Sequence, residues 1–158
     1  MQEILNPPIS GSSKSVVGIL RTSAQNVLDD IGRLMRNINY QSVLTPEIET
    51  ILKINISWHH YYPACSTTPW QLEGVTRTLI EDQFVPESLI PAQNRTVVVD
   101  PEIGAENNRH NPVIEKYGLK TAWLFKPEVE WVTFKPKQKM LVLDDIFPEG
   151  ITIPKLFI

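Results

Sequence analysis

Residues 57–68 read Ser-Trp-His-His-Tyr-Tyr-Pro-Ala-Cys-Ser-Thr-Thr and hold two of the three histidines and the only cysteine of the chain. Aromatic rings, imidazoles and a thiol stand where an ordinary loop carries small polar residues. Cys65 lies just before the helix start Thr68-Pro69-Trp70-Gln71, a place where a thiol pKa can fall and nucleophilicity rise. His59 or His60 would then act as its base. The alternative is a small packed residue in a proline-shaped loop.

Ser66, Thr67 and Thr68 lead directly into that helix, so hydroxyls and free backbone N–H groups converge at the positive end of its dipole. Such a place suits a phosphate or carboxylate. Lys53 sits near the carboxyl end of the preceding apolar run and would add a cation. Asn55 follows two positions later, on the same face of an extended chain. Against this stands a simpler reading in which Thr68 only caps a helix and Lys53 only snorkels.

A second polar loop runs from Gln93 to His110, with Asn94 and Arg95 directly after a strand expected over 89–92. Arg95 would hold a carboxylate or phosphate through two parallel hydrogen bonds; the alternative is a solvated loop of surface ion pairs. His59, His60, Cys65 and His110 match no zinc spacing, and adjacent histidines on an extended chain point to opposite sides. No metal ligand is assigned.

The elements that must position these residues are read from periodicity. Residues 16–20 and 50–56 are short apolar runs that suit strands, and Val27, Ile31, Leu34 and Ile38 recur on one face of a helix expected over 23–38, capped by Thr22 or Ser23. Thr68-Pro69-Trp70-Gln71 combines an N-cap hydroxyl, proline at N1 and glutamine at N3, a capping box opening a helix within 66–83. Strands are expected at 89–92 and 121–125, with a short helix opening at Asn111-Pro112 and ending at Gly118 between them. Residues 129–134 and 140–143 read as a hairpin around the solvated Lys135–Lys139 turn. Trp123 and Trp131 are expected to pack in strands rather than to form a ligand platform. Alternation of this kind predicts an α/β fold with a mainly parallel sheet, flanking helices and a C-terminal β-hairpin. Residues 1–15, rich in Pro, Ser and Gly, form a loose leader, and 16–158 a single α/β domain.

The chain has 158 residues, which suits one domain with a core large enough to fold without staples. One cysteine excludes an internal disulfide framework and any iron–sulfur cluster held by this chain alone. Eighteen acidic and fifteen basic residues, net −3, leave no electrostatic footprint for nucleic acid. No apolar run is long enough to span a membrane and no leader peptide opens the chain, so the cytoplasm is the default compartment. The Gly-rich phosphate loops and the Gly-x-Ser-x-Gly elbow are absent. Thirteen prolines against seven glycines imply stiff connections.

Ile51-Leu52-Lys53-Ile54-Asn55, then Ser66-Thr67-Thr68-Pro69 and a helix with Val75 and Leu79-Ile80, resembles the family called domain of unknown function 362. The likeness is to a strand carrying Lys-x-Asn followed by a Thr-Thr helix start, and it runs from about Val16 to the C-terminus. It implies an α/β fold, iron–sulfur association, and Lys53, Asn55, Thr67 and Thr68 as signature positions. The chain departs from that pattern in lacking Cys-x-x-Cys and in being shorter than family members. Its last residues, Ile151-Thr152-Ile153-Pro154-Lys155-Leu156-Phe157-Ile158, form an apolar tail that would be a bare edge strand. The domain is therefore expected to continue beyond this C-terminus.

Together these readings predict an uncharacterised α/β domain that binds a small anionic ligand between the 57–68 and 93–110 loops, as part of a redox-related or metabolite-processing enzyme. Its cofactor is unknown. The competing expectation is a non-catalytic interaction domain that docks an iron–sulfur domain or a second protomer.

Overall fold

A computed structural model describes residues 16–62 and 65–158; the expected 1–15 leader lies outside the described residues. The elements are α1 (Val27–Asn37), β1 (Thr50–Lys53), α2 (Pro69–Glu81), β2 (Leu89–Gln93), α3 (Pro101–Asn107), α4 (Asn111–Lys116), β3 (Ala122–Trp123), β4 (Trp131–Phe134), α5 (Leu143–Ile146) and β5 (Ile151–Pro154). Strands β1, β2 and β3 form a parallel sheet in that order, and β4 pairs with β5 antiparallel. The fold is α/β, as the alternating pattern predicts. Among the described residues no helix is long and apolar enough to cross a membrane.

Pro91 limits the sheet. Backbone groups along a strand address its two neighbours alternately: the Ala92 carbonyl accepts from Ile54 N–H on the β1 side, and the Gln93 carbonyl from Leu124 N–H on the β3 side. Pro91, two residues before Gln93, therefore addresses β3 but has no N–H to give. The β2–β3 ladder accordingly holds only Ala92 against Ala122 and Gln93 against Trp123.

Crossovers of one hand that step one way along a sheet lay their helices on one face. Leu72 and Leu79 of α2 and Val113 and Ile114 of α4 share a core with Ile54 and Leu89. The C-terminal segment lies over the opposite face: Leu156 and Phe157 line a groove with Ile51, and Pro154 and Phe157 line another with Leu124. The apolar tail expected as a bare edge thus pairs with β4 through Ile151–Pro154 and then runs over the sheet.

Four local expectations change. Residues 16–20 form no strand; Val16, Val17 and Ile19 are exposed and have no strand to pair with. Helix α1 starts later than expected, after Asn26, which makes no side-chain cap. The partner of β4 is β5 rather than residues 140–143. There the chain turns into α5, with Asp144 Oδ2 accepting from Met140 N–H at 3.0 Å, and a short apolar run alone does not distinguish strand from helix. Within the polar 93–110 stretch lies α3, whose Asp100 side chain accepts from the N–H groups of Glu102 and Ile103 with Pro101 at N1.

Helices α1 and α2 pack closely because glycines remove side chains at the crossing. A methyl on Gly74 would stand 2.6 Å from Ile31 Cδ1, and one on Gly32 2.8 Å from Thr78 Oγ1. Asp82, just past α2, then ties the two helix ends together. It accepts from Arg36 Nε and Nη2, from Tyr40 Oη at 2.6 Å and from Gln41 Nε2 at 3.1 Å. Chiefly through the Arg36 hydrogen bonds, the Asp82 carboxyl is held below the ordinary carboxylate range; Tyr40 is raised by burial first and by Asp82 second.

Asp82→Asn is expected to cost about 2 kcal/mol near neutral pH, visible as a lower Tm in thermal denaturation. A depressed carboxylate pKa contributes stability above its unfolded value, near 4, and loses it as pH falls through the folded value. The gap between wild type and variant should therefore close in acid. An unchanged Tm at pH 7 would remove Asp82 from the role assigned.

Candidate functional site

At the carboxyl ends of β1 and β2, on the face away from the helices, lies a cleft of about 500 Å³. Its lining is Lys53, Asn94, Arg95, Leu124, Phe125, Trp131, Pro154 and Phe157. Register explains the first of these. Lys53 lies opposite Ala92, and alternation along β2 puts Asn94 on the side of Ala92, away from Leu52, Pro91 and Gln93. Arg95 follows as the sheet ends, and β4 with the segment after β5 brings Trp131 and Phe157 over the top. Trp131, expected as packing, is 51% exposed and forms a wall of the cleft.

The electrostatics are one-sided. Lys53 donates from Nζ to the Ile54 carbonyl at 2.8 Å, and partial burial of the ammonium lowers its pKa. The Arg95 guanidinium sits 5.8 Å from the centroid of the Phe125 ring. Among the described residues, neither cation has an ion-pair partner, and the Arg95 N–H groups make no hydrogen bond. Among the described residues no carboxylate lines the cleft.

The other sequence-selected residues gather elsewhere. Asn107 donates to the His59 carbonyl at 2.7 Å, and Asn108 Nδ2 to the carbonyls of Trp58 at 3.0 Å and Gly104 at 2.9 Å. His110 Nε2 lies 2.6 Å from the Thr67 carbonyl oxygen, and the Arg109 guanidinium stands over the Tyr61 ring. The two loops singled out by composition therefore meet. The contact is largely backbone carbonyls held by fully buried Asn108 and His110, which is scaffolding. The Trp58 and His59 rings stack, and His60 lies tilted against both.

Thr67 Oγ1 accepts from Asn55 N–H at 3.0 Å and Thr67 N–H donates to the Asn55 carbonyl at 2.8 Å, fastening the loop to the end of β1. Thr68 makes the capping box with Gln71. Asn55 Nδ2 donates to Ser57 Oγ at 2.6 Å. Cys65 is half-buried, and no hydrogen bond among the described residues joins its Sγ to His59 or His60. None of these side chains lines the cleft, and no three His, Cys, Asp or Glu residues among those described gather as a metal site. Of the sequence candidates, Lys53, Asn94 and Arg95 come together. The sequence reading missed Phe125 and Phe157 as walls and Asn108 and His110 as anchors; the Asp100-Pro101 helix start was the available signal for the fold of that loop.

His110 predicts a pH response. Its Nε2 donates to the Thr67 carbonyl, Nδ1 is buried with no hydrogen-bond partner among the described residues, and burial lowers the pKa of the ring. The neutral ring belongs to the folded state, so this stability is complete above the ordinary value near 6.5 and is lost as pH falls toward the lower folded value. His110→Gln, which keeps an N–H for Thr67, should flatten this pH dependence, while His110→Ala should cost about 1–3 kcal/mol and speed exchange of the Thr67 amide, whose N–H donates to the Asn55 carbonyl. Hydrogen exchange at pH 7 that is identical in His110→Ala and wild type would contradict the anchoring role.

Comparison of the chain with models of protein families, with curated proteins and with solved structures returns no match, so a functional reading rests on the geometry of this cleft.

Proposed function

We propose that this protein binds a small anionic ligand in the cleft between the carboxyl ends of β1 and β2 and the β4–β5 pair. One observation carries the reading: Lys53 and Arg95 line a largely apolar concavity to which the described residues bring no carboxylate. Cations without counter-charge in a low-dielectric recess attract anions and hold them more strongly than the same groups in open water. Asn94 adds an amide that donates or accepts at the same rim. A volume of about 500 Å³ lies within the usual range for small-ligand sites. The location, beyond the strand ends of an open α/β sheet, is where such folds place ligands.

Calorimetric titration with acetate, succinate, benzoate and inorganic phosphate tests this. At least one of these anions should bind the wild type, and combined Lys53→Ala and Arg95→Ala should weaken it by roughly tenfold or more. Partial burial lowers the Lys53 pKa, so affinity should decline with rising pH at a midpoint below the ordinary lysine value near 10.4. Equal binding by the double variant, or no binding of any of the four, would sink the proposal.

A second reading draws on the segment from Met140 to Phe147. Leu141 is 92% exposed, and Val142, Ile146 and Phe147 are also open to solvent, an apolar ridge of the kind that marks protein contacts. If it seats a second copy of this chain, light scattering should show a concentration-dependent dimer that Leu141→Glu abolishes. A monomer at high concentration would dismiss this reading.

A further inference from the structure

We infer that the ligand of this cleft is a planar aromatic carboxylate. The inference rests on the anion-binding reading above and adds the shape of the molecule that carries the charge.

Three features of the cleft select it. The Arg95 guanidinium carbon lies 5.8 Å from the centroid of the Phe125 ring, and its N–H groups have no acceptor among the described residues. That open N–H edge fits the two oxygens of a carboxylate in one plane. Aromatic side chains of the cleft are left open by the protein itself: Trp131 and Phe157 line it and remain 51% and 42% exposed. Flat rings laid against such side chains gain stacking in addition to burial. Finally, the donors at this site are side chains. Among the described residues no glycine and no helix N-terminal residue lines the cleft, and the starts of α2 and α3 are satisfied by Thr68 and Asp100. Phosphate sites commonly draw on backbone N–H groups at a Gly-rich turn or helix start; a two-oxygen planar anion needs no such cradle.

The parts come from opposite ends of the chain. The charge end of the site belongs to the parallel sheet, through Lys53 and Arg95, and the aromatic end to β4 and the residues after β5. A ligand spanning both ends would bridge the sheet and the β4–β5 pair and stabilise their packing by mass action.

The test titrates the full chain with 1-naphthoate, cyclohexanecarboxylate, acetate and 1-naphthyl phosphate, by calorimetry and by tryptophan fluorescence. 1-Naphthoate should bind roughly tenfold tighter than cyclohexanecarboxylate, which has a carboxylate and an apolar body but no flat ring system. It should also raise Tm, and it should bind more tightly than 1-naphthyl phosphate. Trp131→Ala and, as a second variant at a different element, Phe157→Ala should each lower naphthoate affinity severalfold, and by a larger factor than they lower cyclohexanecarboxylate affinity. If naphthoate and cyclohexanecarboxylate bind equally, or the phosphate binds more tightly, the aromatic-carboxylate inference fails and anion binding stands. If no anion binds, both fail.

Discussion

The register of one ladder, Thr50–Lys53 against Leu89–Ala92, sets nearly everything else in this chain. Because side chains alternate along a strand, fixing that register sends Leu52 and Leu89 to the helix side with the core. It sends Lys53, Ala92 and Asn94 to the other side. A slip by one residue would bury an ammonium among Leu72, Leu79 and Val113, at the cost of stripping a charge of its water. The apolar helix face therefore enforces the position of the polar residues behind it. Core packing and placement of the cleft are two consequences of one alternation.

The second constraint is that the connections between the parallel strands step in one direction. Helices then fill one face only and leave the other to whatever follows in sequence. Here that is the β4–β5 pair and residues 155–158, which cover the sheet in part. A parallel sheet is normally covered on both faces. This small antiparallel pair leaves grooves along its margins, and the one at the carboxyl ends of the strands receives the cations. Pro91 contributes as well: by withholding an N–H from the β3 side it keeps β3 to two paired residues. The chain departs from the sheet early, at Leu124 and Phe125, and these become cleft lining.

What was legible in the sequence follows from where the information is local. The Thr68-Pro69-Trp70-Gln71 capping box and the Gly118 turn, at a φ of 66°, are local chemistry and appear as read. The α/β alternation and the placement of Lys53, Asn94 and Arg95 at strand ends are also local patterns, since strand ends are visible in sequence. Pairing is not. Residues 16–20 have the composition of a strand and find no partner, whereas β5 pairs with β4 across sixteen intervening residues, from Lys135 to Gly150. Burial is equally invisible: Asn107-Asn108-Arg109-His110 reads as a solvated polar run, yet Asn108 and His110 are among the most buried side chains.

That misreading has a physical basis which also explains the division of the candidate residues. The aromatic loop after β1 contains backbone carbonyls that packing removes from water, and these must find donors. Asn107, Asn108 and His110 supply them for His59, Trp58 and Thr67. Thr67 and Thr68 are taken up by the same task at the other end of the loop. Residues chosen in sequence for their hydrogen-bonding capacity are thus spent holding the loop in place, because internal demand for donors is met first. Lys53 gives one hydrogen bond to the Ile54 carbonyl and Arg95 none among the described residues, and neither meets a carboxylate on the sheet's open face, where the described lining is largely apolar. The positive charge left without a counter-ion in the cleft is what remains after the fold has satisfied itself, and on it the proposal of an anionic ligand rests.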